Sequence, residues 1–323
     1  MVETTVVGSY PKPPDEGRPF SLRRTLHALE RDQARPEDLA RVQDDLVAEV
    51  IAEQETAGID LVTDGAVRWD DLLTPFARSM SGFEIGGLMR WFDNNVYYRR
   101  PVCVGPVEWR GPASVEAYRQ AASVATKPVK AVIPGPITFA RLSVDEHYGV
   151  YEEFVLSLAR VLAQEAFELQ AAGTPVIQID EPALLSAPED LDLARRALSA
   201  MTAEISASET LLMTYYGDAK RLGPELFRLP VDGFGLDFVA GRENDELLAT
   251  LPDGVGLEAG VVDARNTKLE TEAELTGAIG GLAERLGERR LRVGPSAGLE
   301  FLPREKARAK LERLASAARK VGG

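Results

Sequence analysis

Eight short apolar runs, each followed by a segment with helical periodicity, constrain the fold of this chain more than any other feature. They span residues 4–9, 59–64, 130–135, 176–180, 211–216, 233–239, 254–260 and 291–296. Each run is short enough to form one buried strand. Alternating strands and helices indicate a parallel sheet, and eight such units in 323 residues predict an α/β fold of the (β/α)8 TIM-barrel type.

Residues 82–110 interrupt this alternation and predict an insertion. The segment is rich in aromatic side chains, and its Tyr-Tyr-Arg-Arg-Pro-Val-Cys-Val stretch is typical of a strand. We interpret it as a β-hairpin inserted after the second strand and covering one mouth of the barrel. No low-complexity block or long linker divides the chain, so we expect residues 1–323 to form a single (β/α)8 barrel domain.

Composition narrows the classes of partner. The chain carries 37 lysines and arginines against 51 aspartates and glutamates, a formal charge of −14, which argues against binding to nucleic acid or to an anionic membrane. No apolar stretch reaches the roughly 18 residues of a membrane span, and the N-terminus lacks the pattern of a signal peptide. We therefore expect a cytoplasmic protein that acts on small molecules.

Cysteine and histidine are scarce. Cys103 is the only cysteine, and His27 and His147 are the only histidines. One cysteine forms no internal disulfide and provides no thiolate-rich zinc site. The residue counts therefore argue against a His–Cys metal cluster.

Polar residues gather where the predicted strands end, which is where TIM barrels carry their working groups. The set comprises Ser9, Asp64, Asp180, Glu181, Tyr215, Tyr216, Asp237 and Glu258. Such carboxylates and phenols can hold an ammonium group or move protons through a carboxyl with a raised pKa. Asp64 and Asp180 could instead cap the helices that follow. Because neighbouring strand residues face opposite sides, we expect only one of Tyr215 and Tyr216 to line the mouth.

Three arginines and one glutamate complete the candidates. Glu181 precedes Pro182, which holds its backbone extended and favours a functional role for its side chain. Arg23 and Arg24 follow the first strand and Arg265 follows the seventh, so their guanidinium groups could hold the carboxylates of an anionic substrate. The alternative for Arg23 and Arg24 is pairing with acidic residues of their own helix.

Three strings resemble cobalamin-independent methionine synthase. They are Thr-Thr-Val-Val-Gly-Ser-Tyr-Pro (4–11), Ile-Pro-Gly-Pro-Ile-Thr-Phe (133–139) and Gln-Ile-Asp-Glu-Pro-Ala-Leu (178–184). The resemblance runs from end to end, and full-size members carry two such barrels where this chain has one. The Gly-Ser-Tyr-Pro opening is closer to the C-terminal, catalytic barrel. Strings at 91–98, 211–218, 229–239 and 263–266 look more like the N-terminal barrel, which we take as the closer match.

The resemblance also bears on metal binding. Catalytic barrels of this superfamily hold zinc through His, Cys, Glu and Cys, and the matching positions here are Met213, Tyr215, Asp237 and Ala297. Only Asp237 is able to bind a metal, so the resemblance implies that the zinc site is missing and that no bound cofactor is expected. The glutamate that many catalytic barrels carry after the second-strand glycine is here Ala66.

Substrate positions carry over from the family individually. Gly8 and Ser9 match the segment whose backbone holds the amino-acid substrate, and Asp180 matches the aspartate that binds its amino group. Arg23 and Arg24 resemble basic residues that contact the polyglutamate tail of methyl-folate. Further substrate-binding candidates are Asp64, Trp91, Tyr98 and Arg265, and the catalytic candidates are Asp180, Glu181, Tyr215 and Asp237.

Two functions follow from this resemblance. The first is a methionine-synthase-like methyltransferase that acts on homocysteine or a related thiol without zinc, with methyl-folate or methylcobalamin as the methyl donor. The second is the non-catalytic, substrate-binding half of a split methionine synthase, which needs a separate zinc-bearing barrel as its partner. An oxygen-only metal site from Asp180, Glu181 and Asp237 stays open, as does a reaction analogous to uroporphyrinogen decarboxylase, which rests on fold alone.

Overall fold

The computed structural model describes residues 1–12 and 21–321. Within them the strands are β1 (Glu3–Thr4), β2 (Met80–Arg90), β3 (Tyr97–Trp109), β4 (Ala131–Pro134), β5 (Val144–Asp145), β6 (Val176–Asp180), β7 (Glu209–Met213), β8 (Gly233–Asp237), β9 (Gly256–Val262) and β10 (Leu291–Pro295). The α-helices are α1 (Leu22–Glu30), α2 (Pro36–Ala57), α3 (Thr74–Ser79), α4 (Val115–Val124), α5 (Pro136–Arg141), α6 (Tyr151–Ala171), α7 (Leu191–Thr202), α8 (Asn244–Leu247), α9 (Glu272–Leu286) and α10 (Arg304–Val321). Short 3-10 segments span Pro182–Ser186, Pro188–Asp190, Ala219–Arg228, Leu248–Thr250 and Glu288–Arg290.

The central sheet is parallel and curls into a barrel. Seven strands follow one another in the order β1-β10-β9-β8-β7-β6-β4. The eighth position is taken by the segment after α2, which bridges from Leu61 to Thr5 on one side and from Val62 to Val129 on the other. This arrangement confirms the TIM-barrel-like fold that the eight apolar runs predict.

One barrel strand lies two residues later than predicted. The predicted run is 254–260, but β9 is Gly256–Val262, because a turn closed by Val255 N–H to Pro252 O at 3.4 Å delays its start. Glu258 therefore lies in the first half of the strand, where it is 1% exposed. It accepts hydrogen bonds from Lys130 Nζ at 2.8 and 2.9 Å in the barrel interior. The expectation that Glu258 faces the mouth is wrong.

The inserted hairpin is formed by β2 and β3, which pair antiparallel close to the predicted bounds 82–110. β5 pairs with the other edge of β3. Phe83 fixes the hairpin to the barrel by stacking on Phe139 of α5, with ring centroids 5.5 Å apart. At the far end, Trp91 and Tyr98 reach the mouth of the barrel.

The helices pack against the barrel through apolar faces, which are visible as helical periodicity in their sequences. In α2, Val42, Leu46 and Val50 repeat at helical spacing and are all buried. Pro36 begins this helix, and Gly58 ends it with a φ of +91°, a left-handed conformation that favours glycine. Within residues 1–12 and 21–321, no helix has both the length and the apolar character needed to cross a membrane.

Candidate active site

A cavity of about 520 Å³ opens at the carboxyl ends of the barrel strands. Its volume falls in the range of small-molecule pockets. The strand ends and the loops after them contribute Gly8, Ser9, Lys12, Asp64, Asp180, Tyr215, Tyr216 and Glu300, and the hairpin and α3 region contribute Trp69, Trp91, Tyr97 and Tyr98. The cavity is therefore acidic on the barrel side and aromatic on the hairpin side.

Asp180 is the carboxylate that β6 brings to this cavity. It is 4% exposed, its Oδ1 accepts from Gln178 Nε2 at 2.7 Å, and its Oδ2 accepts from Tyr215 OH at 3.0 Å. Burial raises the pKa of Asp180 to about 7, although both hydrogen bonds favour the ionised form. Among the described residues, the carboxylate accepts no hydrogen bond from a helix N-terminus, which argues against the helix-cap interpretation of Asp180.

Both tyrosines of the Tyr215–Tyr216 pair line the cavity, so the expectation that only one does is wrong. Side chains alternate between two faces only within a strand, and β7 ends at Met213, before both tyrosines. Tyr216 also takes a φ of +75°. Its N–H donates to Asp237 Oδ2 at 3.1 Å, and the two rings lie 4.6 Å apart at 76°. Burial raises the pKa of both phenols, so they act as hydrogen-bond donors at neutral pH.

Asp237 lies behind this pair, outside the residues that line the cavity. Its Oδ1 accepts from the N–H groups of Val239 and Ala240, each at 2.8 Å, and its Oδ2 accepts from Tyr216. Burial raises its pKa. A carboxylate with three backbone donors holds the loop that carries Tyr216, so the geometry gives Asp237 a positioning role.

Glu181 points away from the cavity although it is next to Asp180. Its carboxylate accepts from Ile137 N–H at 2.8 Å and from both the N–H and the hydroxyl of Thr138 at 2.7 Å. These groups form the first turn of α5, where unpaired N–H groups need acceptors. Burial raises the pKa of Glu181 to about 7. The catalytic interpretation of Glu181 is therefore corrected to a helix cap.

Glu181→Ala is expected to lower the free energy of unfolding by roughly 2–4 kcal/mol, because it leaves three buried donors without an acceptor. Urea denaturation followed by circular dichroism measures this change. Glu189→Ala is the matched control, since Glu189 is 63% exposed and pairs only with Arg141 on the surface. A loss below about 0.5 kcal/mol for Glu181→Ala would contradict the capping role.

The first two strand ends form the floor of the cavity beside Asp180. Gly8 O accepts from Thr63 Oγ1 at 2.8 Å, and Ser9 O accepts from the N–H of Leu299 at 2.8 Å. Asp64 Oδ1 accepts from the N–H of Ala66 at 2.9 Å, and burial raises the Asp64 pKa. Among the described residues, Asp64 thus holds a turn and does not cap a helix, contrary to one sequence interpretation, and it presents a carboxylate to the cavity.

The aromatic wall comes from the hairpin. Trp91 and Tyr98 meet edge to face at 5.5 Å, and Tyr98 OH donates to Leu142 O at 2.9 Å. Arg265 lies outside this cavity, with its guanidinium 5.1 Å from the ring centre of Tyr216. It lines an adjacent cavity of about 790 Å³, which shares residues such as Glu300 with the first.

Arg23 and Arg24 lie in the first turn of α1, and both are exposed. Within the part of the chain that the structure describes, neither lines the active-site cavity or the adjacent cavity that Arg265 lines. The segment before them, residues 13–20 with the prolines that precede α1, lies outside the described residues. The contact of these arginines with a ligand remains a prediction.

Lys12 and Glu300 line the cavity but were missed at the sequence level. Glu300 lies five residues beyond the end of β10 and past Ser296, so it falls outside the strand-end positions from which the candidates were chosen. The available signal is that a TIM barrel uses whole loops after its strands, and this loop carries one acidic residue.

The four positions that the sequence resemblance assigns to the family's zinc ligands carry side chains that do not suit a zinc ion. Met213 and Ala297 are buried apolar side chains, Tyr215 OH donates to Asp180, and Asp237 is occupied by backbone donors. Zinc sites in proteins use thiolate, imidazole and free carboxylate ligands. Among residues 1–12 and 21–321, no three His, Cys, Asp or Glu side chains are grouped to hold a metal ion, so the oxygen-only site also finds no support.

The chain matches a known protein family over nearly its whole length. Residues 2–320 match the family model described as cobalamin-independent synthase, catalytic domain. The chain belongs to this family. The match is to the catalytic domain, whereas the sequence strings named above were interpreted as closer to the N-terminal barrel; that part of the interpretation is corrected. The family comprises methyltransferases of methionine biosynthesis.

Individual relatives agree with the family. The protein named methionine synthase in Saccharolobus solfataricus is 34% identical over 314 residues, covering 96% of this chain and 92% of the relative. The protein of the same name in Sulfolobus acidocaldarius is 32% identical, covering 96% and 89%. Since relatives matched over nearly their whole length carry this name, the split, non-catalytic half gains no support.

Solved structures share the fold. A B12-independent methionine synthase from Shewanella sp. W3-18-1 in complex with selenomethionine gives a TM-score of 0.87 at 24% identity, covering 100% of this chain and 98% of that one. A putative vitamin-B12-independent methionine synthase from Listeria monocytogenes gives 0.79 at 16% identity, covering 100% and 99%. At these identities the similarity establishes the fold alone.

Proposed function

We propose that this chain methylates the sulfur of homocysteine or a related thiol at the mouth of its barrel, without the family's zinc site. The observation that carries the proposal is Asp180, a buried carboxylate on the cavity floor whose orientation is held by Gln178 and Tyr215. Relatives named methionine synthase support the reaction class.

The amino-acid part of the substrate lies on the cavity floor in this proposal. Asp180 accepts hydrogen bonds from the substrate ammonium, a charge-assisted contact. The backbone N–H groups of Gly8 and Ser9 donate no hydrogen bond within residues 1–12 and 21–321, while their carbonyls are already engaged. These two donors suit the substrate carboxylate.

Methyl transfer requires that the thiol lose its proton. A free thiol has a pKa near 8.5, so a nearby base of modest strength is needed. Asp64 lines the same cavity, its pKa is raised by burial, and only its Oδ1 is used by a backbone donor. We assign the thiol proton to Asp64. The new S–CH3 bond forms as the bond between the donor and its methyl group breaks, and the electron pair of that bond stays on the donor. With methyl-folate the donor nitrogen takes up one proton in exchange for the methyl group, which balances the proton lost by the thiol, whereas with methylcobalamin the thiol proton passes to solvent.

The methyl donor approaches from the hairpin side. Trp91 and Tyr98 offer ring surfaces on which a flat heterocycle can stack. Arg265 lines the adjacent cavity, where its guanidinium suits an anionic group of the donor, and Arg23 and Arg24 are proposed to contact a polyglutamate tail. Methyl-folate and methylcobalamin are the two donors that this proposal covers.

Product formation tests the proposal. The purified chain is incubated with homocysteine and either methyl-folate or methylcobalamin, and methionine is quantified by mass spectrometry. We expect methionine to form with one of the donors at a rate well above that of a reaction without protein. The absence of methionine with both donors would contradict the proposed function.

A further inference from the structure

Glu300 lines the cavity, and one of its carboxylate oxygens has no hydrogen-bond partner within the described residues. Its Oε2 has less than 1 Å² of exposed surface and no hydrogen-bond partner within the described residues. Gly298 makes room for it, because a Cβ at that position would collide with the Glu300 carboxylate. A buried acceptor without a donor is destabilising, and more so when it is charged. Such a group indicates that a ligand supplies the missing donor.

Within the described residues, the protein donor beside this carboxylate is the backbone N–H of Glu300 itself, and it leaves Oε2 unpaired. Lys12 is the nearest cation, but its Nζ donates to Trp69 O at 2.7 Å and also faces Asp70 and Asp71. Burial raises the pKa of Glu300 to about 7, and Lys12 offsets only part of this shift. The carboxylate therefore keeps an open position for a positively charged hydrogen-bond donor.

Glu300 and Asp180 both line the cavity. The negative charge of each acts on the phenols of both Tyr215 and Tyr216 and contributes to their raised pKa values. Asp64, Asp70 and Asp71 line the same cavity, so five carboxylate side chains face it, and Lys12 is the only lysine or arginine among the described residues that line it. An ammonium group has three N–H donors and fits between two carboxylates, whereas a neutral hydroxyl leaves the charges unbalanced.

We propose that Glu300 binds the α-ammonium group of the amino-acid substrate together with Asp180, and so selects amino acids over their hydroxy-acid analogues. This inference rests on the proposed function, since it names the substrate group that the same site recognises. It adds a specificity-determining residue on the loop after β10.

Calorimetry with two ligands tests the inference. Methionine and its 2-hydroxy analogue, which replaces the ammonium by a hydroxyl, are titrated into wild-type chain and into Glu300→Gln. We expect Glu300→Gln to weaken methionine binding by about 10- to 100-fold, the range of a hydrogen bond to a charged group, and to change binding of the hydroxy analogue less than threefold. Glu116→Gln removes the same charge from a side chain that is 89% exposed, and it should leave both affinities unchanged.

The pH dependence of methionine binding distinguishes this role of Glu300 from a purely structural one. Methionine affinity of wild type should fall as pH drops below about 7, because Glu300 and Asp180 both take up protons there and then attract the ammonium less, and this pH dependence should be smaller in Glu300→Gln, where Asp180 alone titrates. Equal methionine binding by both proteins, or equal loss for both ligands, would overturn the inference while leaving the proposed function intact. If wild type binds neither methionine nor homocysteine, the proposed function fails as well.

Discussion

Lys130→Met is expected to lower the free energy of unfolding by about 3–5 kcal/mol, because it leaves the Glu258 carboxylate buried without its ammonium partner. Lys130 and Glu258 are 2% and 1% exposed, and they meet at 2.8 and 2.9 Å inside the barrel. Methionine has a similar length and volume, so packing changes little. Urea denaturation of the variant and of wild type measures the difference.

The pH dependence separates loss of the ion pair from a packing defect. In Lys130→Met, the folded pKa of Glu258 lies above its unfolded value of about 4.3, so the folded chain holds a proton that the unfolded chain releases. Stability of the variant should therefore fall further behind wild type as the pH rises from 5 to 8. The double variant Lys130→Met/Glu258→Met should recover most of the loss. An equal deficit at all pH values would contradict the ion-pair explanation.

Asp180→Asn is expected to weaken methionine binding by at least about 30-fold, which corresponds to roughly 2 kcal/mol. The amide keeps the size of the side chain but removes the charge that attracts the substrate ammonium. Isothermal titration calorimetry at pH 8 measures the affinity, since Asp180 is largely ionised above its pKa of about 7.

Stability distinguishes this loss from unfolding. Folded Asp180 holds its proton up to about pH 7, whereas the unfolded chain releases it near pH 3.9, so the ionised group lowers stability as the pH rises. Asp180→Asn should thus be at least as stable as wild type at pH 8. Glu181→Gln, a change at the neighbouring carboxylate, is the matched control: it should keep methionine affinity, because Glu181 lies under α5 and not in the cavity. Unchanged affinity in Asp180→Asn would remove Asp180 from the site.

The barrel and much of the cavity lining could be predicted from the sequence, since short apolar runs such as 176–180 form the barrel strands. Asp180, Asp64, Ser9 and Tyr215 were expected at the strand ends and line the cavity. Local sequence rules place these groups because the carboxyl ends of parallel strands meet at one mouth.

The remaining differences depend on where each strand starts and stops, which the apolar runs do not define to within one residue. Asp180 and Glu181 are adjacent acids, yet one ends in the cavity and the other under α5, since β6 stops between them. Tyr216 faces the cavity only because its backbone turns to a positive φ. Glu300 lies beyond the strand end, on a loop whose path is set by tertiary contacts such as Leu299 N–H to Ser9 O.

Zinc dependence of methionine formation tests the central claim most directly. The purified chain is stripped with a chelator, its zinc content is quantified by mass spectrometry, and methionine formation from homocysteine is measured with and without added zinc. The donor set around Met213, Tyr215, Asp237 and Ala297 predicts an unchanged rate with far less than one zinc per chain and no stimulation by added zinc. Loss of methionine formation on stripping, restored by one equivalent of zinc, would contradict it.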